Sequence, residues 1–197
     1  MPRHPDPELE ERILKAAHAL WKRGGEKALT MRAVADAAGT NTPAVYRRFK
    51  NRRDLVRGVL KQIARTLREH FEAGVTIEGM AEAYVDYALK MPHDYELFYT
   101  HSYALAPPKG TGRPRPIRES RANFALLETL LAERFGGTVD DCTQTALAIW
   151  ATLHGTCMLL LEKVLPEGHE EEVRRACRTA IQALLQQAAT GARGKKN

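Results

Sequence analysis

The sequence predicts an all-α protein of about nine helices, with a small N-terminal three-helix module of helix-turn-helix type ahead of a larger helical body. Three observations carry this. Apolar residues recur at helical spacing along nearly the whole chain, and Val, Ile, Tyr and Phe nowhere alternate with polar residues over a convincing run. Short periodic segments near the N terminus are punctuated by Gly24-Gly25, Gly39 and Pro43. Five positive charges fall within the seven residues Arg47-Arg48-Phe49-Lys50-Asn51-Arg52-Arg53, at the end of a segment reading helix, Gly-centred turn, helix.

The first helix is expected over residues 7–23. Leu9, Ile13, Ala16, Ala17 and Leu20 form one stripe, Glu8, Glu10 and Glu11 enrich the first turn, and Gly24-Gly25 ends it. Thr30 reads as the N-cap of a helix over 31–38, with Val34 and Ala35 inward. Gly39 follows, where glycine takes positive φ without penalty. Thr42-Pro43 opens the next helix, with Thr42 as cap and Pro43 as first residue of a two-turn segment ending at Phe49. Asn51 caps a fourth helix over 52–71, with Leu55, Val59, Leu60, Ile63 and Leu67 inward. Further helices are expected at 77–91, 92–105, 117–135, 139–164 and 168–190, with an irregular Pro/Gly-rich connection over 107–116. The expected division is residues 1–54, residues 55–190, and a short basic disordered tail, 191–197.

Composition is that of an ordinary globular chain, 44% hydrophobic and 27% charged over 197 residues. The formal net charge is +6, and residues 1–54 alone hold 12 Lys+Arg against 7 Asp+Glu. Nearly all the excess therefore falls in the first quarter, as expected of a basic module on a near-neutral body and of a nucleic-acid partner. Cys142, Cys157 and Cys177 lie far apart with no CxxC pair, so neither a zinc module nor a redox motif is indicated, and they read as buried thiols of a reducing cytoplasm. No N-terminal run resembles a signal peptide. The most apolar stretch, 146–161, is interrupted by Thr152, His154, Gly155 and Thr156, so a cytoplasmic protein without a membrane partner is expected.

Between Ile13 and Leu60 the chain resembles the DNA-binding domain of TetR-like (tetracycline-repressor-type) transcriptional regulators. The resemblance rests on Ile13-Leu14-x-Ala16-Ala17-x-x-Leu20, on Leu29-Thr30-Met31-Arg32-x-Val34-Ala35-x-x-Ala38-Gly39, and on Val45-Tyr46-x-x-Phe49-x-Asn51-Arg52-x-x-Leu55. Any one helix-turn-helix pattern is weak, whereas the ordered set at this spacing is specific. Tyr46 and Phe49 share one side of the short helix, with Phe49 directed to the core and the Tyr46 hydroxyl able to reach a phosphate. Thr40, Asn41, Thr42, Pro43, Ala44 and Arg48 suit a surface pressed into a groove. Arg47 or Arg48 can bind guanine bidentately, and Ala44 can touch a thymine methyl. Thr30 and the amides of its helix start can bind phosphate. Arg52 stands where the family commonly has a phosphate-binding lysine, and the resemblance adds Arg32 and Lys50 to the expected face. It implies double-stranded DNA and a second copy of the chain as partners.

In the larger body, Tyr84, Tyr87, Met91, Tyr95, Phe98 and Tyr99 recur at helical spacing. They fit either an aromatic core or the wall of a small-molecule cavity. Trp150 and His154 share a face at i, i+4 with Gly155 beside them, and this cluster resembles a Trp-His-Gly-containing TetR-like subgroup. With Phe124 and Met158 these residues make up the effector site the resemblance implies. The effector's identity is left open and no metal or other cofactor is expected; the resemblance implies a homodimer interface on the last two helices, whose apolar faces fit a monomer core equally well.

The resemblance implies a repressor released by its ligand, with an activator or ligand-independent regulator of the same fold as alternative. An enzyme is disfavoured, because no nucleophile elbow, P-loop, dinucleotide fingerprint or metal triad occurs. A helical scaffold whose basic patch meets a protein is the remaining rival.

Overall fold

A computed structural model of the chain describes residues 8–73, 76–101 and 115–194, and among these residues it holds nine α-helices, one 3-10 turn and no strand. The helices are α1 (Leu9–Ala28), α2 (Met31–Ala37), α3 (Thr42–Arg48), α4 (Arg52–Ala73), α5 (Ile77–Lys90), α6 (Pro92–His101), α7 (Ala122–Phe135), α8 (Val139–Leu161) and α9 (Glu170–Gly194), with the turn η1 at Ile117–Glu119. The all-α expectation holds.

The local chemistry explains most boundaries. Gly24 (φ −148°) and Gly25 (φ 59°, ψ −150°) break the α1 register as expected, and one more turn then carries the helix to Ala28. The Thr30 hydroxyl accepts from the Ala33 amide at 3.1 Å and starts α2. Gly39 takes φ 64° at the turn. The cap of α3 is Asn41, not Thr42: its Oδ1 accepts from the Ala44 amide at 2.9 Å, and Thr42 is already helical. Asn is a stronger cap than Thr, and Pro43 at the second helical position has no N–H to satisfy. Asn51 accepts from the Asp54 amide at 2.9 Å and caps α4. The segment expected as one helix from 117 starts as η1 and resumes at Ala122. At the C terminus α9 continues to Gly194, so residues 191–194 are helical rather than a disordered tail. The expected end of the sixth helix and the connection as far as 114 lie outside the described residues.

Contacts divide the chain into two units. The first holds α1, α2, α3, α4 through Ala64, and α6; the second holds α4 from Arg65, then α5, η1, α7, α8 and α9. In the first unit Ile13, Ala17, Val34, Ala35, Val45, Leu55 and Leu60 are wholly excluded from solvent. Helix α6 joins α1 through a 2.6 Å hydrogen bond between His18 Nε2 and the buried Asp94 carboxylate. Trp21 meets the His101 ring edge-on at 4.9 Å.

The second unit packs α5, α7, α8 and α9 around Met80, Ala88, Leu131, Ala146, Ile149, Ile181 and Leu185. The buried carboxylate Glu128 is held there by Arg118 at 3.1 Å and by the Thr143 hydroxyl at 2.6 Å. Such a charge is tolerable only when paired and hydrogen-bonded. The three cysteines are buried free thiols. Helix α8 is long and apolar enough by length and composition to cross a bilayer, yet only 28% of its most apolar stretch is buried within the chain.

Gly58 sets how closely α4 approaches its neighbours. A Cβ there would lie 2.6 Å from Leu14 Cδ2 and 3.0 Å from Phe49 Cε1. Overpacking of this kind costs about 1–3 kcal/mol, and better helix propensity returns about 1 kcal/mol. Gly58→Ala is therefore expected to lower stability by up to about 2 kcal/mol in denaturant unfolding. An unchanged midpoint means that Leu14 and Phe49 yield freely.

Candidate nucleic-acid interface and aromatic cluster

Helix α3 has only seven residues, too short to persist alone, so its neighbours define it. Val45 and Phe49 are buried, and α2 packs alongside. Pro43, Tyr46, Arg47 and Arg48 are left on the outside, with Tyr46 51% exposed. Arg32 and Lys50 are also exposed, and Thr40 and Thr42 are half-buried at the rim. The outward face therefore combines two guanidiniums, a phenol and a proline, with an ammonium at its end. Such a set can meet phosphates and base edges together.

Two expected members lie elsewhere. Ala44 is 4% exposed, because the helix phase that turns Tyr46 and Arg47 outward turns Ala44 and Val45 inward. Its methyl packs in the core and cannot touch a thymine. Arg52 is occupied within the chain. Its Nε donates to the Leu29 carbonyl at 2.9 Å, Nη2 to the Glu26 carbonyl at 2.8 Å, and Nη1 to Glu26 Oε1 at 2.9 Å. The same guanidinium holds the Glu26 carboxyl below its ordinary range by hydrogen bonding and charge. Arg52 thus ties the start of α4 to the end of α1, immediately before the Thr30 cap. Asn41, expected on the groove face, uses its side-chain oxygen as the α3 cap.

The aromatic residues expected at the effector site are distributed over both units. In the second unit Trp150 Nε1 donates to the Tyr84 hydroxyl at 3.3 Å, and Phe124 lies 5.7 Å from the Trp150 ring. Tyr84 stacks on Phe71 at 5.8 Å with 17° between planes, and Tyr87 meets His70 edge-on at 5.6 Å. Phe71 and His70, in the last turns of α4, complete this cluster and were not anticipated; their register after Ile63 and Leu67 was the available signal. In the first unit Tyr95 and Phe98 each meet Tyr99 on α6, with centroids 4.5 and 5.6 Å apart. Met91 and His154 are half-buried. Met158 is 38% exposed and faces outward from α8. A Cβ at Gly155, expected to permit close helix approach, would meet nothing within 4 Å among the described residues.

Burial alone pushes the His154 imidazole below its ordinary value of 6.5, so it favours the neutral form. The unfolded chain then binds the proton more readily. Stability from this group is complete above about pH 6.5 and falls as the pH drops through the lowered folded value. Denaturant unfolding at about pH 7.5 and about pH 5.5 should show this loss, and His154→Gln should lessen it. Arg52→Gln is expected to lower the stability of the folded chain by about 1–2 kcal/mol through the two carbonyl bonds. Unaltered unfolding with weakened DNA binding would instead return Arg52 to the phosphate role.

Comparison with known proteins agrees with this geometry. Residues 13–59 match the model of bacterial regulatory proteins of the tetR family, and residues 77–184 match that of the tetracyclin repressor-like C-terminal domain. An uncharacterized HTH-type transcriptional regulator of Mycobacterium tuberculosis is 27% identical over 164 residues, covering 80% of this chain and 72% of that protein. Among solved structures, the multidrug binding protein EbrR complexed with imidazole superposes with a TM-score of 0.67 at 23% identity, covering 93% of each chain. A TetR family member from Streptomyces coelicolor A3 gives 0.65 at 23% identity, covering 89% of this chain and 99% of that one. At these identities the structural likeness is one of fold, whereas the two family models together span most of the chain. With a helix-turn-helix unit built from α1 to α3 and a helical body behind it, this chain belongs to the TetR family of transcriptional regulators, DNA-binding proteins and not enzymes.

Proposed function

We propose that the chain is a cytoplasmic, ligand-released repressor that binds a palindromic operator as a homodimer. The observation that carries this reading is α3 itself, a short helix braced from within whose outer face presents Tyr46, Arg47 and Arg48. One such helix per subunit would enter successive major grooves with half-site centres about 34 Å apart.

Two features support the rest of the reading. The apolar stretch of α8 is only 28% buried within one chain, with Leu159 40% exposed and Gly155 open beside it. An exposed apolar face of this kind fits a second copy packing through α8 and α9. The cluster of Tyr84, Phe124 and Trp150 offers aromatic faces with a phenol and an indole N–H, which suits a planar effector. The related-fold protein EbrR is known in complexes with malachite green, ethidium and proflavin. An effector that displaces Tyr84 acts directly on Phe71, and Phe71 belongs to the helix that begins with Arg52. By linkage, ligand binds the DNA-free state more tightly, and operator weakens ligand binding by the same factor.

Selection of bound sequences from a random duplex pool tests the reading. Enrichment of an inverted repeat is expected, with one dimer bound per repeat by light scattering. Recovery of unrelated, salt-sensitive sequences alone would mean that α3 does not read bases. On the selected operator Arg48→Ala should weaken binding by about 1–3 kcal/mol and relax one position if it reads a base.

A further inference from the structure

Helix α1 is broken one turn before its end. Gly24 and Gly25 leave helical geometry at φ −148°, ψ 16° and φ 59°, ψ −150°, and one further turn runs to Ala28. The break is written into the residues. The positive φ of Gly25 favours glycine, and a Cβ on Gly24 would lie 2.8 Å from Ala28 Cβ. At such a kink the direction of the last turn is not fixed by the helix itself. Yet Arg52 grips this turn. Its guanidinium takes the Glu26 carbonyl, the Glu26 carboxylate and the Leu29 carbonyl, directly ahead of the Thr30 cap of α2.

Helix α6 reaches both sides of the break. Ahead of it, the buried Asp94 carboxylate accepts from His18 Nε2 at 2.6 Å and faces Lys22 Nζ at 3.7 Å. The other end of α6 lies about 10 Å further along its axis. There the buried His101 ring meets Trp21 edge-on and brings Nε2 to 3.9 Å from Glu26 Oε2. Trp21 precedes the break and Glu26 follows it, so one side chain of α6 meets both pieces of α1. A buried carboxylate is tolerable only against its partners, so Asp94 admits one seating of α6 on α1. The Glu26 carboxylate stands between His101 of α6 and Arg52 of α4.

We propose that α6 is a splint across the Gly24-Gly25 break, with Asp94 and His101 as positioning residues for the DNA-reading helix. The splint fixes the direction of the last turn of α1, that turn fixes Arg52, and Arg52 fixes the frame that carries α2 and α3. The proposal rests on the DNA-binding reading and deepens it: α3 supplies the contacts, and α6 sets the angle at which they arrive.

Asp94→Leu and His101→Phe test it on the full-length protein. Asp94→Leu keeps a buried side chain of similar size and removes the contacts to His18 and Lys22, both of which can turn to water. His101→Phe keeps a ring against Trp21 and removes the nitrogen facing Glu26. Operator affinity should fall about tenfold in each, comparable to one mismatched base pair, because α3 meets the base edges out of alignment. Affinity for unrelated duplex, and the slope of log affinity against log salt, should stay at wild-type values, since phosphate contacts carry no base information. In protein shown to be folded by circular dichroism, a role in stability alone would leave the ratio of the two affinities intact. Amide exchange gives a second readout. In His101→Phe the amides of α2 and α3 should exchange faster, while those of α1 ahead of the break keep their protection. Equal losses on operator and unrelated duplex, or unchanged operator affinity in folded variants, would overturn the splint and leave the α3 reading standing. Should Asp94→Leu fail to fold, His101→Phe decides alone. If the wild-type protein selects no operator, the α3 reading fails instead, and amide exchange in His101→Phe still decides the splint: a uniform change across α1, α2 and α3, or none, overturns it.

Discussion

The guanidinium of Arg52 closes a ring around α2 and α3. It joins the first residue of α4 to the last turn of α1 through two main-chain carbonyls and the Glu26 carboxylate. Helices α2 and α3 lie between these points in the sequence. A seven-residue helix loses more in nucleation than it gains from its own hydrogen bonds, so α3 must take its order from its surroundings. Asn41 fixes its start, Phe49 anchors its end, and the Arg52 clasp fixes the frame on either side. Since these supports all act from the inward side or the ends, the outward side chains carry little of the packing. Tyr46, Arg47 and Arg48 lie on that outward side.

Helix α4 connects this frame to the body. Its first turns carry the clasp and the Gly58 contact, and its last turn places Phe71 against Tyr84. Tyr84 in turn accepts from Trp150, which lies beside Phe124. A tightly packed chain of rings transmits displacement better than flexible side chains do, because a close-packed interior has few small rearrangements available. The Glu128–Arg118–Thr143 network pins α7 and α8 in the same unit and gives the cluster fixed walls.

Much of this was legible in the sequence because it depends on neighbours in the chain. Helical period, the Thr30 and Asn51 caps and the positive φ at Gly39 follow from local sterics and hydrogen bonding, and the structure has them where the residues pointed. Features set by tertiary geometry were harder to read. Ala44 and Tyr46 are two residues apart, and only the docking phase of α3 decides which one faces solvent. Arg52 has a helix-start position that suits phosphate binding, yet a carboxylate and two carbonyls 23 to 26 residues earlier reach it first. Tyr95, Phe98 and Tyr99 belong by spacing with Tyr84 and Tyr87, but the Asp94–His18 bond holds α6 against α1 within the first unit. The capping choice between Asn41 and Thr42 turned on a single residue, within the usual imprecision of helix ends.

The same separation explains how charge can be distributed so unevenly. The core of the first unit is built from residues such as Ile13, Val34, Val45 and Leu60, each fully enclosed, and a buried aliphatic side chain of this size contributes about 1.5–3 kcal/mol. Repulsion between exposed like charges at helical spacing amounts to only a few tenths of a kcal/mol, roughly 0.2–0.5 per pair. The core therefore decides whether the unit folds, and the surface cations barely alter the outcome. That disparity leaves the outer face of α3 free of any packing requirement on its side-chain charges. In the body Arg118, Arg134, Arg174 and Arg178 are each joined to an acid, so its own chain supplies the counter-charge.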